Sequence, residues 1–250
     1  MSVHTLYIYL RAGITIVATL IILAISSIIV PLLVILSLGL LRNLVIEYYG
    51  PLLGRSILAL AGVRLKIVQA GEKVQGQAVY ISNHSSTLDM FIIIGLGLPR
   101  VRFVAKYELL YNPFFFILGK VTDQIFIKRD ESEKAIAVLK KAHQYIKKNR
   151  LSLYVAPEGT RKHAGVVGPF KKGAFRMALD LGYPIVPIFF EGARDLCEGG
   201  SLIVKPGEVI ARFHSPIDTS DWTLETLDAH IEEIRKQYIE WEKQASAKKK

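Results

Sequence analysis

The hydrophobic positions of this chain are concentrated at its start. No charged residue occurs between Ala12 and Leu41, and Arg11 and Arg42 bracket this run. A bilayer span needs about 20 apolar residues, so the run is long enough to form a membrane anchor. Pro31 predicts a kink or break near position 30, because proline lacks a backbone donor and clashes with the preceding helical turn. Two forms remain open: one kinked span, or two shorter helices that form a hairpin within one leaflet.

Behind this run, short apolar segments typical of buried strands alternate with segments of helical composition. The alternation predicts an α/β fold, with a mixed sheet flanked by helices. Strands are predicted at 63–68, 78–82, 102–105, 124–128, 151–156, 185–190, 202–205 and 209–213, and helices at 88–98, 131–149 and 173–181. From Leu224 to Trp241 apolar residues recur every three or four positions, which predicts one long amphipathic helix. The expected organisation is an anchor at 1–55 and a folded domain at 56–247.

Charge narrows the possible partners. The chain has 32 Lys and Arg against 22 Asp and Glu, a net charge of +10. Ten basic residues and a single acid, Glu158, occur between Lys140 and Arg176. Such a surface suits anionic membrane lipid or phosphorylated substrates. Nucleic acid is not an expected partner, because a long apolar run is present and no nucleic-acid-binding motif is found. The positive-inside tendency favours a domain on the cytoplasmic side of the inner membrane.

Candidate chemistry begins directly after the predicted strand at 78–82. His84 and Asp89 are five positions apart, and five residues of helix rotate by about 500°. The two side chains therefore meet only if His84 lies in the turn before the helix, where Ser and Thr are favoured. A carboxylate fixes the tautomer of an imidazole and stabilises its protonated form, so the pair is a candidate general base. The same residues also allow a structural interpretation, because Ser86-x-x-Asp89 resembles a capping box.

A second polar segment, Pro157–Lys162, follows the predicted strand at 151–156. Gly159 allows the backbone to approach a ligand closely, and Arg161 presents a planar fork that matches phosphate. Ligands of open α/β sheets gather outside the carboxyl ends of the strands, where both polar segments are expected. An ordinary turn with a solvated arginine would also fit this segment. The six histidines form no cluster with metal-ligand spacing, so no metal site is predicted.

Together, these segments resemble the glycerolipid acyltransferase superfamily, and most closely the bacterial 1-acyl-sn-glycerol-3-phosphate acyltransferases. The family's N-H-x-x-x-x-D, I-F-I-x-R, P-E-G-T-R and V-P-I blocks are matched, in this order, at Asn83–Asp89, Ile125–Arg129, Pro157–Arg161 and Val186–Ile188. Phe103–Lys106 also looks like the family's lysine-bearing strand. Four blocks in the right order make a specific resemblance, which covers roughly residues 60–215.

The resemblance implies a membrane-bound enzyme that moves a fatty acyl group from a thioester to the sn-2 hydroxyl of lysophosphatidic acid, giving phosphatidic acid. The domain at 56–247 is then the catalytic domain. The co-substrate is expected to be acyl-CoA or acyl-carrier protein, with no cofactor. Acyl transfer to another lysolipid or to glycerol 3-phosphate remains an alternative, and so does a non-catalytic lipid-binding protein.

The resemblance also implies roles for the site residues. His84 is expected to act as the general base, with Asp89 orienting its imidazole. The residues expected to bind the substrate phosphate are Arg161, Lys106 and Arg129. Those expected to shape the acceptor cleft are Glu158, Gly159 and Thr160.

Overall fold

A mixed β-sheet forms the centre of the protein. The computed structural model describes residues 3–128, 132–161 and 167–248. Within these ranges, seven strands form one sheet in the order β1-β7-β6-β2-β5-β3-β4. They are β1 (Val63–Gln69), β2 (Val79–Ser82), β3 (Val101–Lys106), β4 (Ile125–Ile127), β5 (Ser152–Val155), β6 (Ile185–Glu191) and β7 (Gly207–Phe213). The predicted class, a mixed α/β sheet flanked by helices, is confirmed.

Parallel pairing brings the ends of the central strands to one edge. β2 pairs in parallel with both β5 and β6, and β5 pairs in parallel with β3. The pair β6–β7 is antiparallel. β2 is buried on both faces, which explains why the sequence shows a continuous apolar run there instead of an alternation. The carboxyl ends of β2, β5 and β3 therefore share one edge of the sheet.

Helices cover both faces of this sheet. They are α1 (Val3–Leu36), α2 (Arg42–Leu44), α3 (Gly50–Leu60), α4 (Asp89–Gly95), α5 (Pro113–Val121), α6 (Ser132–Lys148), α7 (Gly173–Leu181), α8 (Ala193–Leu196) and α9 (Leu227–Ala247). A π-helical turn at Val45–Tyr49 joins α2 to α3, and a 3₁₀ turn at Tyr107–Tyr111 precedes α5. Side chains of α6, α7 and α9 build the core on one face, while those of α3, α4 and α8 build it on the other.

Most of the predicted segments behind the anchor are confirmed, but the strand predicted at 202–205 is wrong. The described residues 201–206 form no strand. Their backbone groups find other partners nearby: Lys205 N–H donates to the carbonyl of Leu196, at the end of α8, at 2.8 Å, and Ile203 N–H donates to Oγ of Ser201 at 3.1 Å. Local hydrogen bonds thus replace a ladder that the apolar residues alone suggested.

The sequence predicted a kink or break near position 30; the break is wrong, and the kink stays a prediction. α1 continues through Pro31 to Leu36, so it is about 51 Å long. The chain reverses at 37–41, where Leu38 and Gly39 have φ values of 52° and 85°. Gly39 N–H donates to the carbonyl of Val34 at 2.7 Å, which caps the helix. A reversal of the chain requires residues in a left-handed backbone conformation, which Gly39 adopts easily. Pro31 removes only one backbone hydrogen bond from a long helix, so the helix continues through it.

After the reversal, the chain returns through α2, the π-helical turn and α3, so residues 3–60 form a helical hairpin. Its outward surface is apolar, and the segment Ile8–Leu36 is long and apolar enough to cross a membrane. The second arm of the hairpin extends to Leu60. The division of the chain into 1–55 and 56–247 stays a prediction.

Both ends of α1 are fastened to the α/β domain. Near its start, the guanidinium of Arg11 donates to the carbonyls of Ala61 at 2.7 Å and Val204 at 3.0 Å. Just beyond its end, Arg42 donates to the carbonyl of Val121 at 3.0 Å and forms an ion pair with Asp123. α1 therefore lies alongside the domain and does not project away from it.

α3 and α4 cross at a contact between two glycines. A Cβ atom on Gly54 would lie 2.6 Å from the backbone nitrogen of Gly95 and 2.6 Å from the carbonyl oxygen of Phe91. No side chain fits in that space. The second arm of the hairpin consequently presses directly on the backbone of α4, the helix that begins at Asp89.

We expect Gly54→Ala to lower the free energy of unfolding by about 1–3 kcal/mol, because the added methyl group forces α3 away from α4. Gly173→Ala, at the start of α7, is the control. Its methyl group would meet Leu139 Cδ1 at an ordinary 3.6 Å, so improved helix propensity should leave stability unchanged or higher. Thermal unfolding in detergent compares the variants, and equal melting temperatures would contradict the close contact.

Candidate active site

His84 and Asp89 meet at the carboxyl end of β2. Nδ1 of His84 lies 2.9 Å from Oδ2 of Asp89. As the spacing predicts, His84 lies in the turn before α4, and α4 begins at Asp89. The Asp89 side chain is 1% exposed and that of His84 is 17% exposed. The carboxylate is therefore shielded from water while the imidazole reaches the surface of the site.

The capping interpretation of the same turn is confirmed as well. Oδ2 of Asp89 also accepts a hydrogen bond from Ser86 N–H at 2.9 Å, which is one half of a capping box. The hydroxyl of Ser86 donates to the carbonyl of Cys197 at 2.6 Å and accepts from Leu88 N–H at 3.1 Å. One carboxylate oxygen thus shapes the turn and holds the imidazole, so the structural and the chemical interpretations are compatible.

Glu158 joins three segments beneath the site. Its side chain is buried, and its two oxygens accept hydrogen bonds from His84 N–H and Gly168 N–H, each at 2.8 Å. A buried carboxylate that accepts backbone N–H groups is strongly held, because such bonds are charge-assisted. These contacts connect the ends of β2 and β5 directly. The role predicted for Glu158 in the acceptor cleft stays a prediction.

Asn83 makes an equivalent connection on the other side of β2, and sequence reasoning missed its role. Its amide donates to the carbonyl of Phe190 at 3.1 Å and accepts from Phe190 N–H at 2.8 Å. The bonds tie the end of β2 to β6. The N-H-x-x-x-x-D block, which contains Asn83, was the sequence signal for this residue. Its partner Phe190 could not be found from the sequence, because it lies more than a hundred positions away.

A loop after α8, residues 197–201, forms one wall of the site, and no sequence pattern predicted it. Thr87 donates its hydroxyl to the carbonyl of Glu198 at 3.2 Å and accepts from Gly200 N–H at 3.0 Å. A Cβ atom on Gly199 would lie 2.7 Å from Cβ of Arg161 and 3.4 Å from the carbonyl oxygen of Ser85. The loop therefore packs between the two polar segments predicted from the sequence.

Arg161 is brought beside the turn that carries His84. Both Arg161 and Ser85 contact the same glycine of the 197–201 loop, and the Arg161 side chain is exposed. Gly159 has a φ of 66°, a left-handed conformation that favours glycine. Thr160 between them is half-buried. The expected meeting of the two polar segments at one sheet edge is confirmed, while their roles toward substrate stay predictions.

Of the two other predicted cations, only Lys106 is described, and it lies apart from this cluster. Lys106 ends β3, two strands away from β2, and its ammonium pairs with Glu108 at 3.3 Å. Its side chain is exposed at the same edge of the sheet. Arg129 lies outside the described residues. A role in phosphate binding stays a prediction for both.

Cys197 is the one thiol of the chain, and it lies close to the site. It is buried, and its Sγ lies 3.3 Å from the carbonyl oxygen of Ser201. Burial raises the pKa of the Cys197 thiol. Because the thiolate is the nucleophilic form, this environment suits a structural cysteine. Among the described residues, no group of three His, Cys, Asp or Glu side chains could hold a metal ion.

The arrangement combines a partly exposed imidazole, a buried carboxylate that orients it, and an exposed guanidinium nearby. An imidazole held in this way can remove a proton from a hydroxyl group, and a guanidinium can bind an anionic group of the same molecule. The geometry therefore suits a reaction of an alcohol that carries a phosphate or carboxylate.

Comparisons with known proteins agree with this geometry. The model of the family described as Acyltransferase matches residues 65–191. A 1-acyl-sn-glycerol-3-phosphate acyltransferase of Limnanthes douglasii is 34% identical over 191 residues, covering 76% of this chain and 68% of the relative. One from Salmonella typhimurium is 31% identical over 195 residues, with 76% and 78% covered.

A solved structure shares the fold. The crystal structure of the 1-acyl-sn-glycerophosphate (LPA) acyltransferase PlsC from Thermotoga maritima aligns with a TM-score of 0.76, covering 94% of this chain and 98% of that one at 23% identity. The family match spans β1 to β6 and contains both polar segments of the site. On these grounds, the protein belongs to the acyltransferase family, as the sequence blocks had indicated.

Proposed function

We propose that the protein transfers a fatty acyl group from an acyl thioester to the sn-2 hydroxyl of lysophosphatidic acid, which yields phosphatidic acid. The relatives named 1-acyl-sn-glycerol-3-phosphate acyltransferase come from plants, yeast and bacteria. The observation that carries the proposal is the 2.9 Å contact between His84 and the buried Asp89, beside an exposed Arg161. A base supports transfer to an alcohol, whereas lipid binding alone does not need one.

The hydrogen bonds of Asp89 indicate which nitrogen of the His84 imidazole carries the proton. An ionised carboxylate only accepts hydrogen bonds, so the Nδ1 of His84 carries the proton and Nε2 keeps its lone pair. Nε2 removes the proton of the acceptor hydroxyl as its oxygen attacks the thioester carbonyl carbon. The tetrahedral intermediate then breaks its carbon–sulfur bond, and the proton on Nε2 passes to the leaving thiolate. The products are an ester and a free thiol.

The burial of Asp89 matters most while His84 is protonated. The imidazolium forms a short-lived ion pair with a carboxylate that is shielded from water, where electrostatic attraction is stronger than in solvent. Arg161 holds the phosphate of the acceptor and so directs its hydroxyl toward Nε2. Acyl-CoA or acyl-carrier protein supplies the thioester as co-substrate, and the chemistry requires no cofactor.

The transfer is direct in this proposal. No G-x-S-x-G motif occurs in the sequence, and the buried Cys197 has a raised pKa. The acceptor and the donor therefore occupy the site together. Kinetics should follow a sequential pattern, because a covalent acyl-enzyme would produce ping-pong kinetics.

The first test is product formation. Detergent-purified protein incubated with radiolabelled acyl-CoA and lysophosphatidic acid should yield labelled phosphatidic acid. His84→Ala should lower the rate by at least about 10²-fold, because the general base is removed. If this variant keeps near-normal turnover, the mechanism is wrong. Acyl-carrier protein as donor, and glycerol 3-phosphate or other lysolipids as acceptors, separate the alternatives.

Asp89→Asn tests the orientation of the base. The amide provides no negative charge to stabilise the imidazolium, and in the orientation that places its nitrogen beside Nδ1 it favours the tautomer with the proton on Nε2. We expect kcat to fall by about 10⁴-fold with little change in KM. Circular dichroism and thermal unfolding serve as controls for folding. A rate within about tenfold of wild type would exclude Asp89 as the orienting group.

We propose further that the hairpin embeds the protein in one leaflet of the inner membrane, with the catalytic domain on the cytoplasmic side. Both ends of α1 contact the domain through Arg11 and Arg42, so a helix crossing the bilayer would carry the domain into the lipid with it. The apolar outward surface of α1 suits a helix lying along the lipid surface. Anionic lipid is the proposed partner of the basic domain.

Spin labels on α1 distinguish this arrangement from a span. Ile14, Ile28 and Ile35 share one helical row and are 70%, 64% and 65% exposed. In a Cys197→Ala background, labels at these positions should report similar depths in lipid vesicles by power-saturation measurements. A spanning helix would instead place the first and last labels about 30 Å apart along the membrane normal, near opposite interfaces.

A further inference from the structure

Among the basic residues between positions 140 and 176, two of those that the structure describes lie at the active-site edge of the sheet. Four of its lysines lie on α6, which builds the core on the sheet face opposite α3 and α4: Lys140, Lys141, Lys147 and Lys148. Lys172 pairs with Asp228 at 2.7 Å, and Arg176 pairs with Asp180 at 3.4 Å. Arg150 follows the end of α6, away from this edge, and Lys162 lies outside the described residues. Arg161 and Lys171 remain.

Lys171 is attached to the loop that carries Arg161. Its backbone N–H donates to the carbonyl of Pro157 at 2.9 Å, at the carboxyl end of β5. Its side chain then lies across Gly159. A Cβ atom on Gly159 would be 3.2 Å from Cε, 3.3 Å from Cδ and 3.5 Å from Nζ of Lys171. The ammonium is thereby held directly above the loop, two positions before Arg161.

Gly159 is suited to this contact for two reasons. Its φ of 66° favours glycine, and a side chain there would push the lysine away. The loop beneath is itself held rigidly by Glu158, whose carboxylate accepts from His84 N–H and Gly168 N–H. Glu158, the residue before Gly159, therefore links the position of the Lys171 ammonium to the position of His84.

The ammonium of Lys171 is available to a ligand. The side chain is exposed, and within the described residues its Nζ forms no ion pair or hydrogen bond. The adjacent Lys172 has a carboxylate partner on α9, so the two neighbouring lysines differ in this respect. An ammonium held above a glycine loop has three N–H donors that can bind an anionic oxygen group.

We propose that Lys171 is a second phosphate-binding residue of the active site, acting beside Arg161. The inference rests on the proposed acyl transfer and deepens it. The ligand chemistry is a phosphate group, and two substrates supply one: the phosphomonoester of the lysolipid acceptor, and the phosphates of CoA in the donor. Two cations beside one loop would neutralise both charges of a phosphate dianion, whereas Arg161 alone leaves a net negative charge.

Four proteins test the proposal: wild type, Lys171→Met, Lys171→Arg and the matched control Lys172→Met. Methionine keeps the stem that packs on Gly159 and removes the charge, while arginine keeps the charge. Isothermal titration calorimetry in detergent measures the binding of lysophosphatidic acid and of CoA separately. Steady-state kinetics measures KM for the acceptor and for the donor.

Lys171→Met is expected to weaken one of the two ligands by about tenfold or more, as loss of a charge-assisted hydrogen bond does. Lys171→Arg should recover most of that loss. Lys172→Met should stay within about twofold of wild type, because exposed ion pairs contribute little. A loss confined to lysophosphatidic acid assigns Lys171 to the acceptor phosphate, and a loss confined to CoA assigns it to the donor.

Two results would overturn the proposal. One is unchanged binding and KM for both ligands in Lys171→Met. The other is a loss that Lys171→Arg does not recover and that accompanies a lower melting temperature, since this indicates a structural role for the stem. Failure of the proposed function is recognised separately, because wild type then forms no phosphatidic acid while calorimetry still reports on Lys171.

Discussion

The active-site edge depends on one carboxylate oxygen. Oδ2 of Asp89 accepts from the backbone of Ser86 and holds Nδ1 of His84, so the shape of the turn and the tautomer of the base are set by the same atom. The side chain is 1% exposed, and water does not compete for these bonds. Replacement of this group would therefore affect both the local backbone and the proton transfer that it supports.

The strands around this turn are held in register by polar side chains in an otherwise apolar core. Glu158 joins the end of β2 to β5, and Asn83 joins it to β6. Deeper in the same region, the hydroxyl of Tyr238 on α9 accepts from Ile188 N–H at 3.1 Å and lies 3.0 Å from the carbonyl oxygen of Ile81. Burial raises the pKa of the Tyr238 phenol well above its ordinary value, so it remains a neutral donor. Buried groups of this kind stabilise a site because each has partners.

The hairpin takes part in the same construction. α3 lies on α4 at the contact of Gly54 with Gly95, and α4 carries Asp89 at its first position. Arg11 and Arg42 attach α1 to the domain at two separated places. The element proposed to meet the lipid is thus in contact with the helix that carries Asp89. An acyltransferase whose substrates lie in the membrane needs its base at a defined distance from the lipid, and this packing provides a rigid connection.

Local features of the chain were predictable from the sequence. The spacing of His84 and Asp89 required a turn before α4, the helix at 173–181 ends at Gly182, and the apolar runs identified the central strands. These features depend on neighbours within a few positions, where side-chain type and helical geometry decide the outcome. Asn112 and Pro113 were a further local signal, because that asparagine caps α5 with a bond from Phe114 N–H at 3.0 Å, yet the helix was not predicted.

Contacts between distant positions were decided only by the tertiary structure. The 197–201 loop packs on Ser85, Thr87 and Arg161. These residues are too far from the loop along the chain for a helix or strand periodicity to indicate the contact. The same holds for the position of Lys171 above Gly159. The physical reason is common to them: a backbone group or a charged side chain takes whichever partner the completed fold brings near. The sequence by itself determined the pairing of His84 with Asp89 and the class of the fold, and the packing of the chain decided which residues surround that pair.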